Sequence, residues 1–473
     1  MRTQKNTMIA TLLVALHVWG GLWAQEMVEN EADTKWQSNF PDDTEIYSPM
    51  PLPEPKPSIG LMTLPPDDQI VYYDAIADEE IITKNDHEDI VEGWADGSSG
   101  TGIETITQDM HLLNFTDLSR VLNPSGYPWR VNCKLFFKQW DPNTQTVKPY
   151  VGSGILIDSM HVLTAGHCVH AGDGEHWSTD MVVVPGYENG SRPYGDARGV
   201  HFFSWVGWTQ RGNFDDDIGI IRLDRPIGAL TGWYGYTFSN NPLFYTETVF
   251  NNASYPAGEP FDGKYMYFSH GNFDFVEYGD SEGRWTGNEV GFYRTSYGGQ
   301  SGSGVYILFG SHRYVIAVIS NGLPGFTKCP RINATIFQDI EHYTSVNTPS
   351  EPDLLALNVQ SSQKSVVAGG QLSSLSYRVH NYSSVSWSGT VNVSVYLSTN
   401  ANISSFDTLI GTDSFWSSFG PKSTAEVEIQ TPLQIPAHVA NGEYWLGVIL
   451  DISDYDVENN DSDGQEAALI SVN

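Results

Sequence analysis

Apolar residues in this chain come in short runs rather than in helical stripes. From about Thr116 to Ser345 the runs at 131–137, 154–157, 162–164, 181–184, 218–223, 265–268 and 314–319 are separated by clusters of Gly, Pro and Asn. Short apolar runs bounded by turn formers predict strands, and their succession predicts an all-β barrel or sandwich. One helix is predicted over 335–343, with Ile336, Phe337 and Ile340 on one face. The stretch Asn347-Thr-Pro-Ser-Glu-Pro352 then breaks the pattern, because two prolines among polar residues make a linker. Beyond it the alternation is strict. Val391, Val393, Val395 and Leu397 are interleaved with Asn392, Ser394 and Tyr396, and the segments 375–379 and 444–450 behave alike. About seven short strands in roughly 120 residues predict an immunoglobulin-like sandwich over 353–473.

The N-terminal part has no such texture. Arg2 and Lys5 precede an apolar run at 8–23 that is interrupted by His17 and two glycines, and Ala24 offers a small residue at its end. This predicts a cleaved export signal over 1–24 rather than a membrane span. Residues 25–118 are acidic with a proline-rich centre, and predict a prosegment or linker with little packed structure of its own. Acidic residues number 57 against 24 basic ones, giving a net charge of -33. Nucleic acid is excluded as a partner, since its phosphates need Lys and Arg, and anionic membrane surfaces are disfavoured. The expected product is soluble and secreted or attached to the cell surface, with no membrane span. Three cysteines (Cys133, Cys168 and Cys329) allow at most one bridge and make a poor zinc site. Cys133 and Cys168 fall near the same motif and are the expected pair.

Candidate chemistry gathers in three places. Thr295-Ser-Tyr-Gly-Gly-Gln-Ser-Gly-Ser-Gly-Val305 is a glycine-dense loop with Ser301 at its centre. A nucleophilic serine needs a reachable Oγ and converging backbone N–H groups, and glycine permits the tight backbone that aims them. Alone, such a loop is an ordinary turn. His167 lies on the small-residue turn after two β-runs in Gly152-Ser-Gly-Ile-Leu-Ile-Asp-Ser-Met-His-Val-Leu-Thr-Ala-Gly-His-Cys-Val169. Asp217 ends the acidic run of Asn213-Phe-Asp-Asp-Asp217 and borders the apolar strand Ile218–Leu223, where it can accept the Nδ1–H of His167 and hold its tautomer. Asp215 and Asp216 are expected to be a solvated acidic turn.

Together these motifs resemble the chymotrypsin-like, trypsin-fold serine proteases. The order His, Asp, Ser is theirs, whereas α/β-hydrolases run Ser, Asp, His, and Ser303 stands where a hydrolase elbow would carry glycine. Thr164-Ala-Gly-His167-Cys168, Asp217-Ile-Gly-Ile-Ile-Arg-Leu223 and Gly299-Gln-Ser301-Gly-Ser303 are similar to the family's three motifs, the last in the form of the bacterial glutamyl-endopeptidase-like branch. The resemblance covers about 119–346. It implies a two-barrel fold and a serine endopeptidase acting on protein or peptide substrates. By position it implies Ser301 as nucleophile, His167 as general base and Asp217 as its orienter. It further implies an oxyanion hole from the N–H groups of Gly299 and Ser301, and a substrate-pairing edge at Ser320-Asn321-Gly322, with Ser320 also bonded to Asp217. Thr295 and Ser296 match the base of the primary specificity pocket. No cofactor and no metal is implied.

Two departures shape the expectations. Gln300 stands where relatives activated by a new N-terminus carry an aspartate, so no activation salt bridge is expected, although processing between about Gly100 and Tyr127 is. With no aspartate at 295–296 a basic P1 residue is not expected. Ile319 replaces the histidine of glutamyl-specific relatives, so Glu preference is unsupported, and an apolar or small P1 residue is the expectation. The C-terminal segment resembles CARDB-type adhesion-like modules through Pro352-Asp-Leu-Leu, Val395-Tyr-Leu-Ser398, Gly442-Glu-Tyr-Trp-Leu and Val457-Glu-Asn-Asn460. That implies a surface, polysaccharide or protein ligand, or a spacer. The acids Asp454, Asp456, Glu458, Asp461 and Asp463 miss the EF-hand spacing and predict a solvated loop. A non-catalytic adhesin on a protease scaffold and an esterase are the alternatives to a peptidase.

Overall fold

The computed structural model describes residues 47–50, 69–98, 114–141, 144–277, 287–429 and 431–473. The expected export signal, most of the proline-rich stretch and part of the expected processing region lie outside them. Segments that alternate or run apolar do form strands. Six of them, β6 (Asn132–Asp141), β7 (Thr146–Leu156), β8 (His161–Thr164), β9 (Thr179–Pro185), β10 (Ala197–Trp205) and β11 (Gly219–Leu223), close into a barrel, because β11 pairs with both β8 and β10. The second half is more open. There β12 (Gly235–Ser239), β13 (Phe250–Ser254), β14 (Tyr267–Gly271), β17 (Gly304–Phe309) and β18 (His312–Val318) form one sheet. The strands β15 (Phe275–Val276), β16 (Glu289–Phe292), β20 (Phe326–Pro330) and β19 (Asn321–Leu323) form another, with β19 at its edge. This is a chymotrypsin-like arrangement of two β-halves.

The helix is Ala334–Val346. Asn333 caps it by accepting the Ile336 N–H, and Phe337 packs between Tyr236 and Phe238. Its buried Asp339 accepts from the Trp205 indole at 2.8 Å.

The leader is more structured than its composition suggested. Ile70–Asp74 (β2) and Glu79–Thr83 (β3) extend the first sheet beyond β10, with Ile70 and Val71 fully buried. Glu92–Ala95 (β4) extends the second sheet through β12, and Asn85 and His87 reach Asp339 of the helix. The four-residue run Ile-Val-Tyr-Tyr fills one more strand position on a barrel edge, which the surrounding acidic sequence hid. Two further short strands pair with the barrels. Ser48–Pro49 (β1) pairs with β7, and Ser119–Arg120 (β5) pairs with β14.

The C-terminal domain is a two-sheet sandwich. One sheet holds β21 (Leu354–Ser361), β24 (Leu375–Asn381) and β27 (Thr424–Glu428); the other holds β22 (Ser365–Val366), β30 (Ala468–Val472), β29 (Gly442–Asp451), β25 (Trp387–Ser398) and, at its edge, β26 (Thr408–Phe419). The pair β23 (Gln371–Leu372) and β28 (Leu433–Gln434) closes one corner. Strand β21 is buried on both faces, as a continuous apolar run demands. Leu354 and Ala356 enter the sandwich core, while Leu355 and Leu357 pack with Tyr382 against Met160, Ala229 and Leu230 of the first barrel. A buried Arg225–Glu466 pair and the Lys422–Asp158 pair at 3.3 Å cross the same junction. The sandwich is therefore seated on the barrel rather than hung from a linker. Its acidic loop also departs from a simple solvated turn. Asp454 accepts from Leu354 N and Asn460, and Asp463 accepts from Ile403 N.

All three cysteines are free and buried, so the expected Cys133–Cys168 bridge is not made. A Cβ built on Gly152 would lie 3.1 Å from the Cys168 Sγ. Glycine thus occupies one position from which a cysteine could reach Cys168.

Candidate active site

Strand β8 delivers the chain to the helical turn Gly166–Val169, which carries His167. The preceding residue has to be small. A Cβ on Gly166 would meet Trp208 at 2.7 Å and the Asp217 Oδ1 at 2.9 Å. A 3-10 turn at Phe214–Asp216, capped by Asn213, turns Asp217 inward at the start of β11. Asp217 is fully buried. Its Oδ1 accepts the His167 backbone N–H at 2.6 Å, its Oδ2 faces the imidazole Nδ1 at 2.8 Å, and the Ser320 hydroxyl donates to Oδ2. Burial pushes the His167 pKa down, but the adjacent carboxylate outweighs it and holds the imidazole above the ordinary histidine value. Asp215 and Asp216 are half-buried rather than solvated. Asp215 accepts Asn288 N at 2.6 Å, and burial together with Asp215 pushes Asp216 up to about 7.

Ser301 sits in the loop between β16 and β17, also fully buried. The loop is fixed by its carbonyls. The Gly298 carbonyl accepts from Ala257 N at 2.7 Å, that of Gly299 from the Ser153 hydroxyl at 2.8 Å, and that of Ser301 from Ser153 N at 2.8 Å. Gly299 has φ +89°, and a Cβ there would lie 2.6 Å from the Tyr255 carbonyl oxygen. With the carbonyls tied back, the N–H groups of Gly299 and Ser301 donate to no protein acceptor among the described residues. The Ser301 Oγ and the His167 Nε2 are likewise buried and unpartnered there. Two bonds to Asp217 thus leave one imidazole nitrogen uncommitted, beside a loop whose hydroxyl and two N–H groups are uncommitted too. Such a set can transfer a proton and receive an oxyanion.

Gln300 is buried and self-sufficient. Its oxygen accepts Tyr297 N at 2.9 Å and its amide donates to Ser254 at 2.9 Å. A neutral side chain satisfied inside the loop has no charge for a new N-terminal amine to neutralise.

Ser320 and Asn321 lie where β18 passes into the edge strand β19. Asn321 donates to Glu289 at 2.7 Å and so anchors that edge from beneath, and Gly322 continues it. Thr295 and Ser296 both line a cavity of about 270 Å³ beside the Ser301 loop. The Thr295 hydroxyl is turned away to accept Gly325 N at 2.7 Å, while the Ser296 hydroxyl is buried without a partner among the described residues. Phe292, Ile319 and Arg294 line the same cavity, and Phe115 to Leu118 of the leader wall it. The Arg294 guanidinium is held by the Phe115 carbonyl at 2.8 Å and by Asp117 at 3.3 Å. Neither the leader wall nor Arg294 was found from sequence, since no local motif marks them.

A second leader segment lies nearby. Met50 N donates to the Val151 carbonyl at 3.1 Å, and Pro49 and Met50 pass so close to Gly298 that a Cβ there would lie 2.9 Å from both. Among the described residues the carboxylates of Asp215, Glu277 and Glu289 approach closely enough to hold a cation. The Lys328 ammonium already binds Glu277 and Glu289 there.

Comparison with known proteins gives these findings. Residues 127–346 match the trypsin family. The chain is 28% identical over 246 residues to an extracellular metalloprotease of Bacillus subtilis, covering 51% of this chain and 72% of that protein. It is 26% identical over 242 residues to a glutamyl endopeptidase of Bacillus licheniformis, covering 49% and 68%. Among solved structures, a Glu endopeptidase aligns at 20% identity and a TM-score of 0.38, over 49% of this chain and 96% of that one. A CARDB domain from Pyrococcus furiosus, solved with two metal ions, aligns at 19% identity and a TM-score of 0.19, over 26% and 96%.

Proposed function

We propose that His167, Asp217 and Ser301 carry the chemistry of this chain, a serine-type endopeptidase whose residues 127–346 match the trypsin family. His167 Nε2 takes the Ser301 proton as Oγ attacks the scissile carbonyl. The carbonyl oxygen becomes an oxyanion and is received by the N–H groups of Gly299 and Ser301. The proton then passes to the leaving amine, the C–N bond breaks and an acyl-enzyme remains. Water, deprotonated by the same imidazole, releases the acid and restores Ser301. Asp217 holds the imidazole in the tautomer that leaves Nε2 free. The observation that carries this reading is the double grip of the buried Asp217 on His167, through the backbone N–H and Nδ1. The test is a fluorophosphonate probe on processed protein. Labelling should map to Ser301 and disappear in Ser301→Ala, and a label elsewhere with Ser301→Ala still active would sink the assignment.

Substrate backbone is proposed to pair with the edge at Ser320-Asn321-Gly322. The P1 side chain would enter the cavity at Ser296, with Thr295 at its rim. Its mixed lining, with Phe292 and Ile319 beside Thr116, Ser269 and Gln300, a Ser296 hydroxyl unpartnered among the described residues and a guanidinium already matched by Asp117, suits a small or apolar uncharged residue. Digestion of a peptide library reads this directly. Selection of Glu would instead point to Arg294 freed from Asp117 after processing.

The leader is proposed to keep the exported chain latent. The support is steric: residues 115–118 wall the selecting cavity, and Pro49–Met50 lie against the oxyanion loop. Processing is assigned between about Gly100 and Tyr127. Arg120–Val121 is a poor cut site while folded, because Arg120 lies over the Tyr265 ring at 3.6 Å and Val121 N donates to Met266. Full-length protein as active as the processed form would refute latency. The chain is further proposed to act outside the cell. No described helix is long and apolar enough to cross a membrane.

A further inference from the structure

The outer face of the sandwich has an unusual composition for this chain. Strands β25 and β26 form a long antiparallel hairpin whose inward residues, such as Val391, Val393 and Phe419, enter the core. On the outward face Thr390 stands opposite Trp416, Asn392 opposite Ser414, and Ser394 opposite Thr412. The row continues in serines beyond them. Trp416 is 71% exposed, and among the described residues its ring stacks on no other ring. The sole carboxylate that the pairing places beside this row is Asp451, on β29 next to Asn392. Asp413, the one charge within β26, belongs to the opposite face and lies near Tyr377.

This is a costly surface to leave idle. β26 is the sheet's edge, and exposed edges are normally blunted by charges, above all lysine, or by proline. In a chain with 57 acidic residues and a net charge of -33, about 20 Å of paired strand shows a bare indole among hydroxyls and amides. Protein interfaces rarely look like this, since Ser and Thr are depleted at their energetic centres. Neutral sugars do fit. A pyranose offers an apolar C–H face to an indole and hydroxyls that both donate and accept, as Ser, Thr and Asn do. Anionic polymers are opposed by the chain's own charge.

We propose that the Trp416 face of the β25–β26 hairpin binds a neutral polysaccharide. It would anchor the enzyme with its cleft in one fixed orientation, because the sandwich is seated on the first barrel through Leu355, Leu357 and the Arg225–Glu466 pair. The observations behind this site are independent of those behind the peptidase reading.

The test uses full-length protein with microcrystalline cellulose, chitin and curdlan as neutral probes and alginate as the anionic one. The expected result is retention on at least one neutral probe. Trp416→Ala should weaken it by at least about tenfold, the equivalent of about 1.4 kcal/mol, while the melting temperature and the peptidase activity of processed protein stay unchanged. Thr390→Ala should weaken it less. Failure to bind all three neutral probes, binding that ignores Trp416→Ala, or binding to alginate alone overturns the proposal. So does a dimer in light scattering that Trp416→Ala converts to monomer, because the edge would then serve a second copy of the chain.

Discussion

Two neighbouring parts of the cleft are built in opposite ways. Around His167, Asp217 and Ser301 the polar atoms are buried and each matched by a specific partner, several of them far along the chain, such as Ser153, Ala257 and Ser320, and the atoms left over are ones a hydrolysis can use. The cavity beside Ser296 is assembled from separate pieces of chain at 115–118, 261, 269, 292–300 and 319, with a mixed polar and apolar lining and a borrowed leader segment. In the first region the groups that position the reacting atoms each have a fixed partner. The second is a shape, and shapes can be altered by degrees. Substitutions in the first should therefore lower turnover of every peptide alike, and substitutions in the second should reorder peptides.

The severest break is Ser301→Ala, expected to lower kcat by about 10⁶ on any peptide in a steady-state assay of processed protein. Asp217→Asn follows at about 10⁴, with a second readout. The base must be neutral, and the Asp217 carboxylate holds the imidazole above its ordinary 6.5. Activity should then fall as pH drops through a value above 6.5, and in Asp217→Asn this acid limb should move down. A limb that does not move would separate His167 from the chemistry. Gly299→Ala, which puts a Cβ 2.6 Å from the Tyr255 carbonyl oxygen, should misplace an oxyanion donor and lower kcat by about 10²–10³. Ser296→Val should change the ratio of kcat/KM between small and large P1 residues by about tenfold. An equal loss on all peptides would erase the contrast between the two regions. The mildest is Gly152→Cys. Its Cβ position, 3.1 Å from the Cys168 Sγ, predicts an oxidised bridge that leaves two titratable thiols in the denatured protein. Activity should stay within about twofold, with stability raised by about 3 kcal/mol for a loop of this size.

The same contrast explains what was legible in the sequence. His167, Asp217 and Ser301 announce themselves because the small residues that let them sit there, Gly166 and Gly299 among them, are contiguous with them. The sandwich is legible from period-two alternation at 391–397. Phe115 and Arg294 carry no local signal, for a cavity wall requires only that something apolar or long arrive from elsewhere. The strand at Ile70–Asp74 was hidden by acidic neighbours, since its partner is the edge of β10, far along the chain. The seating of the sandwich was equally silent. Leu355 and Leu357 look like any second face of a strand until Met160 and Leu230 are seen opposite them.

The leader's weave through both halves of the peptidase domain has a temporal consequence. β2 and β3 continue the first barrel, β4 continues the second sheet, and Asn85 and His87 grip the helix at Asp339. A cut in the proposed region, between about Gly100 and Tyr127, would sever the chain but none of these contacts. Cutting and uncovering are then separate events, the second being a dissociation with its own clock. Activity should lag behind cleavage by an interval that more processing protease does not shorten, and dilution should raise the final level of activity by preventing rebinding.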